Sequence, residues 1–258
     1  MKQIKLLYIR DMKKCINKRT LLIWIVMSIL CVFFFFNSNG KNEFVTTNTI
    51  DFMSVMLPQV IFGAWAAMSV DFDLISADRE HSVLDCILSS GITKNQIFVS
   101  KALTTASLCF IGALTYLIPV SCSIVYLGGR LEYLAVTINY LFPLWVYIMV
   151  YASWGYLISI IARSSKSALI WSLACGLALR PRFFARFVDG SGSVLHLTES
   201  IKSYISMIAP AILMSELTDI SQVSKMITTL AVFGISILVL WFVAYYIFKK
   251  QDELNYSE

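Results

Sequence analysis

Charge is scarce in this sequence. Of its 258 residues only 14% are Asp, Glu, Lys or Arg, while 58% are hydrophobic and the mean hydropathy is +0.73. Soluble domains carry about 25% charged residues, so the composition excludes a soluble globular domain. It points instead to membrane spans of about 20 apolar residues each. Histidine is nearly missing: His81 and His196 are the only two, and the topology read below puts them on opposite sides of the membrane. The loop pattern G-x-x-x-x-G-K-[ST], whose amides cradle nucleotide phosphates, occurs nowhere. Strand-like alternation is not sustained over any long stretch, which excludes a membrane barrel. The apolar cores contain no ionisable residue in this reading, with Asp51, Asp71 and Arg163 only at their edges. Ion-coupled transporters and intramembrane hydrolases need such groups. These absences leave no catalytic residue, metal set or cofactor site to assign on this chain, and no nucleic-acid partner. If the protein moves a solute uphill, the energy arrives from another polypeptide.

What is present is a series of apolar runs. They predict an all-α integral membrane protein with spans near 20–36, 52–70, 102–127, 134–162, 160–179 and 226–248, the fourth and fifth overlapping at their boundary. Residues 1–19 form a basic segment, 71–101 a loop, 180–225 a second long connection and 251–258 a tail. Placing both termini and the 71–101 loop in the cytoplasm puts Lys2, Lys5, Arg10, Lys13, Lys14, Lys18, Arg19, Arg79, Lys94, Lys101, Arg163, Lys166, Lys249 and Lys250 inside. Only Lys41, Arg130, Arg180, Arg182, Arg186, Lys202 and Lys225 remain outside, as the positive-inside rule requires of a cell-membrane protein. The first run is not a cleaved signal: its basic region is long, and Asn37-Ser-Asn-Gly40 lacks a cleavage pattern. None of the six cysteines falls in an external loop, so no disulfide framework is expected.

The 71–101 loop has the most structured pattern. Leu84, Ile87 and Leu88 recur at helical spacing opposite Asp78, Arg79, Ser82 and Asp85. Gly91 suits a left-handed helix stop, and Thr93 with Gln96 predicts a capping box that opens the next helix. The apolar stripe either docks a partner or rests on the protein's own spans and the membrane. The N-terminal segment is also amphipathic, with Ile4, Leu7, Tyr8, Cys15 and Ile16 on one side and Lys5, Lys13 and Lys14 mostly off it. It reads as a helix lying in the headgroup region.

The stretch from Asp78 to Lys101 resembles the cytoplasmic loop of ABC-2-type transporter permeases. Arg79-Glu80 match that family's charged step, Ser82-Val83-Leu84 stand where it has a Gly-Thr-Leu-like step, Gly91-Ile92 stand at its break, and Lys101 matches its helix-opening Lys. The resemblance implies a transmembrane subunit that is not itself an enzyme. It would pair with a second permease, identical or related, and with two ABC ATPase subunits that carry the ATP and Mg. It also implies that Asp78, Arg79, Glu80, Leu84, Ile87 and Leu88 form the contact with the ATPase. A small hydrophobic or amphipathic cargo, such as a peptide antibiotic or drug, is the expected substrate. A lipid-linked polysaccharide is the alternative cargo, and a non-transporting immunity or sensor subunit the alternative role.

Four aromatic residues, Tyr140, Tyr147, Tyr151 and Trp154, share one stripe of the fourth span. Tyr147, Tyr151 and Trp154 line a substrate path or pack the interior. Gly155 with Ser159, and Gly63 with Ala67, permit close helix approach. Pro58, Pro119 and Pro143 are expected to kink three helices mid-span. Residues 180–225 are expected to form short interfacial or re-entrant helices, with Arg180, Arg182 and Arg186 interleaved among Phe183, Phe184 and Phe187 at the headgroups. Asp189-Gly-Ser-Gly192 reads as a flexible break and Ile205–Met214 as a short helix interrupted by Pro210.

Overall fold

In hydrocarbon, every backbone N–H and C=O has to be paired within its own segment, so long apolar runs fold as helices. The computed structural model describes residues 2–37, 52–128, 137–194 and 223–255, with Val45, Leu134, Thr198, Lys202 and Pro210 as single positions. Helix α1 (Lys2–Cys15) precedes α2 (Lys18–Asn37) and α3 (Phe52–Asp71). Two short helices follow, α4 (Ser76–Glu80) and α5 (Val83–Ser89), and then the long α6 (Lys94–Gly128). The remainder is α7 (Leu141–Ile161), α8 (Ser165–Ala178), α9 (Pro181–Val194) and α10 (Val223–Asn255). Among the described residues, five helical stretches are long and apolar enough to cross a membrane, and α8 with α9 makes a sixth if the pair counts as one span bent by 72°. The protein is an all-α integral membrane protein.

Helix α7 is the axis of the bundle and packs against α3, α6, α8 and α10. Small residues set its distance from α3. A Cβ on Gly155 would stand 2.5 Å from Asp71 Oδ1 and 3.1 Å from the Met68 backbone. One turn on, Ser159 Oγ accepts hydrogen bonds from the Ile75 and Ser76 amides at 2.8 and 3.2 Å. The small pair expected to allow close approach therefore does so. The outer faces of α2 and α10 carry exposed apolar residues such as Ile29, Phe33, Leu238 and Phe242, as a lipid-facing surface requires.

Several boundaries differ from those expected. Helix α6 begins at Lys94, as the Thr93 cap predicts, but Lys101, read as the residue that opens the helix, lies two turns inside it and is buried. The fourth span ends at Ile161. Ala162 is extended, and Ser164 and Ser167 form a capping box that starts α8 afresh. Pro143 is in the first turn of α7, where no helical bond is lost, so it does not kink the span; Pro58 and Pro119 lie inside their helices. The Asp189–Gly192 break is absent, since α9 runs to Val194. The Ile205–Met214 helix lies outside the described residues apart from Pro210.

Candidate functional site

The loop between α3 and α6 folds back under the bundle. Helix α4 ends at His81, and Ser82 takes a left-handed conformation, φ 54°, that turns the chain into α5. Gly91 closes α5 at φ 81°, in the region where only glycine is unstrained. The Thr93 amide donates to Gln96 Oε1 at 3.0 Å, and the Gln96 amide donates to Thr93 Oγ1 at 3.3 Å, which completes the expected capping box. The break at Ser82 was not expected from the sequence.

Three consecutive residues fasten this hairpin to five other helices. Asp78 is buried and faces three cations. Its Oδ2 accepts from Lys101 Nζ at 2.5 Å and from Arg10 at 2.7 Å, and its Oδ1 accepts from Lys14 Nζ at 2.9 Å. Lys101 also donates to the Leu74 carbonyl at 2.7 Å and stands 3.4 Å from Asp11 Oδ2. Arg10 closes the ring with an ion pair to Asp11. Burial works against the Arg10 charge, but Asp11 and Asp78 outweigh it and hold the guanidinium above its usual range. Asp78 thus locks α4 to α1 and α6.

Arg79 and Glu80 grip the two sides of the α7–α8 break. The Arg79 guanidinium donates to the carbonyls of Ile160 and Ala162, both at 2.9 Å, and to Gln251 Oε1 on α10 at 2.7 Å. Those carbonyls are orphan acceptors at a helix C-terminus, where a cation is favoured. Exposed Glu80 accepts from the Ser165 amide at 2.8 Å, at the N-terminus of α8, where an anion is favoured. The Arg-Glu step therefore matches the dipole ends of two successive helices. The ends of α6 and α10 meet beside it: Tyr245 donates to Asn95 Oδ1 at 2.9 Å, and Lys94 to the Lys249 carbonyl at 3.4 Å.

The apolar stripe of the hairpin faces inward. Leu84 and Ile87 are buried in the chain's own core and Leu88 packs against it, so the stripe braces the hairpin on the bundle. Asp78 is likewise covered. The surface left outward on α4 and α5 is polar and includes Glu80, His81, Ser82, Asp85, Cys86 and Ser89. Tyr147 and Tyr151 are also sealed inside: their rings meet edge-on at 5.3 Å, and Phe233 of α10 lies 6.4 Å from Tyr147. Trp154 is part-exposed and lines a cavity of about 490 Å³ between α7 and α8, with Ile158, Trp171 and Cys175. The structure does not bring the three aromatic candidates onto one open surface.

Two buried acids escaped the sequence reading. Asp11 was grouped with neither side of α1, yet Leu7, Asp11 and Cys15 are spaced by four and all three are buried. An acid on the buried face of an amphipathic helix was the available signal for an internal ion pair. Asp71, taken as an edge residue, is fully buried and accepts from Thr105 Oγ1 at 3.1 Å. Asp71 is the last residue of α3, at the edge of its apolar run as expected, and Lys101 precedes the apolar run of α6, yet both are buried where the helices pack together.

No curated protein matches this chain in sequence. A family model described as ABC-2 family transporter protein matches residues 7–253, a stretch that takes in the ionic cluster, the hairpin and every helix that α7 packs against. The chain therefore belongs to the ABC-2 transporter family, as a membrane permease subunit.

Proposed function

We propose that this chain is the permease of an ATP-driven exporter in the cell membrane, with both termini and the α4–α5 hairpin in the cytoplasm. Two permease copies, identical or related, would work with two ABC ATPase subunits that bind ATP and Mg, and the chain itself would hydrolyse nothing. The observation that carries the proposal is the Asp78-Arg79-Glu80 step. A hairpin tied by successive charges to α1, α6, α7, α8 and α10 transmits a displacement to the bundle rather than absorbing it. Membership of the ABC-2 family supports the same division of labour.

The inward turn of Leu84 and Ile87 reassigns the docking surface. The motor would meet the outward face formed by His81, Asp85, Cys86 and Ser89, with Glu80 at its edge, while the apolar stripe keeps the hairpin rigid. A small hydrophobic or amphipathic cargo suits a bundle with a partly open surface at Trp154 lined by apolar side chains. The test is affinity purification in mild detergent. An ATPase subunit should co-elute, and ATP hydrolysis should require it. Asp85→Lys with Cys86→Trp should abolish co-elution while leaving the permease folded. Hydrolysis by the isolated permease, or full motor recovery with the double variant, would overturn this reading.

A further inference from the structure

Arg180 stands at the corner where α8 turns into α9. Its guanidinium carbon lies 4.0 Å from the Trp65 ring centroid and 5.7 Å from that of Phe62, both on α3. The indole beneath it is held in place. Trp65 Nε1 donates to the Leu173 carbonyl at 3.1 Å, and Gly176 leaves room where any Cβ would run into the ring. Arg180 Nε is buried with no hydrogen-bond partner. Among the described residues the ion pairs gather around Asp11 and Asp78, and Arg180 joins none of them.

Its depth makes that isolation costly. Helix α8 starts level with Glu80, where Arg163 and Lys166 are exposed to water. Its 14 residues rise by only about 21 Å, against a hydrocarbon core of about 30 Å. Arg180 therefore sits short of the far interface, where a charge needs compensation. Stacking on Trp65 supplies only part of it. A partner that meets this need is an anion that reaches down from the far headgroups and is present when no cargo is bound.

We infer that Arg180, stacked on Trp65, binds the phosphate of an anionic phospholipid from the leaflet opposite the hairpin. The flat guanidinium pairs with phosphate oxygens in two-pronged geometry, which an ammonium does not reproduce. The lipid chains have a surface to lie on, since Phe183 and Phe187 are exposed one turn apart on α9. A resident lipid, rather than a cargo carboxylate or a free anion, satisfies the charge in the resting transporter.

Native mass spectrometry of the purified permease, titrated with phosphatidylglycerol or phosphatidylcholine, tests this. The wild type should retain phosphatidylglycerol at least about tenfold more strongly, and Arg180→Gln should erase the preference. Arg180→Lys, which keeps the charge and guards against a folding defect, should weaken it severalfold. In a variant whose only tryptophan is Trp65, brominated phosphatidylglycerol should quench fluorescence more than brominated phosphatidylcholine. The inference falls if the two lipids are retained alike, if Arg180→Gln keeps the preference, or if excess inorganic phosphate displaces the lipid. It falls equally if Trp65 is quenched the same by both.

Discussion

Asp78 is held by Lys101, Arg10 and Lys14, and that asymmetry gives different costs to its loss and theirs. Asp78→Asn leaves the buried Lys101 ammonium with the Leu74 carbonyl and, 3.4 Å away, Asp11 as its remaining carboxylate, and losing one member of a buried ion pair costs about 3–5 kcal/mol. Lys101→Met leaves Asp78 with two cations and should cost clearly less. Thermal unfolding of the purified protein in detergent checks the order, and equal losses would show that the three cations do not share the load. A second residue-scale difference concerns thiols. Burial, with Asp73, Asp71 and Asp11 nearby, pushes the Cys15 thiol up to about 12, whereas Cys86 lies exposed on α5. Since the thiolate is the reactive form, a water-soluble maleimide at pH 8 should modify Cys86 in the native protein and spare Cys15. Peptide mapping reads the outcome, and equal labelling would mean that α1 is not docked as described. The burial of Asp11 was missed although the four-residue spacing of Leu7, Asp11 and Cys15 carried the signal. The convergence of Arg10, Lys14 and Lys101 on Asp78 had no such signal, because it depends on how α1 is laid across α6.

Helices were the most legible elements, because hydrocarbon admits no other fold for an apolar run of this length. Their ends were less so. Composition marks where a run stops being apolar, whereas α6 starts at the Thr93 cap, and the Lys101 ammonium inside it is received by Asp78 and the Leu74 carbonyl. The capping box at Thr93 and the stop at Gly91 were readable since both are local chemistry. The left-handed Ser82 and the 72° corner after Ala178 were not, as each is fixed by what the adjoining helices pack against. The small pair on α7 gives an element-scale prediction. Gly155→Val places a branched side chain against the Met68 backbone and the Asp71 carboxylate, neither of which is a flexible chain end. Overpacking of this kind costs about 1–3 kcal/mol, so the variant should unfold several degrees lower and be prone to aggregate in detergent. The same change at Gly190, which has no atom within 4 Å of an added Cβ, should have little effect. Similar melting of both variants would mean that α3 and α7 are not held at this distance.

At the scale of the whole molecule, contacts at one end of the bundle fix the parity of crossings. Asp78 receives Lys14 at the end of α1, Glu80 receives the start of α8, and Arg79 receives Gln251 near the end of α10. Helices α2, α6 and α8 therefore begin at the hairpin end, and α3, α7 and α10 finish there. For α10 to arrive from the far side, the chain has to cross once between Ser165 and Val223. The α8–α9 pair, bent by 72° at the corner that holds Arg180, is the described segment able to do so. In the proposed function the hairpin faces the cytoplasm, the side that the distribution of Lys and Arg favours. With the native thiols replaced, single cysteines at Asn42 and Gly192 should react with an impermeant maleimide added to intact cells, and one at Asn95 should react only after lysis. If Asn42 labels while Gly192 stays protected, α8 and α9 form a re-entrant pair, and the crossing falls in residues 195–222. Labelling of Asn95 from outside would instead invert the whole bundle. The hairpin would then face away from any ATP-bearing partner, and the proposed route from motor to α8 would fail with it.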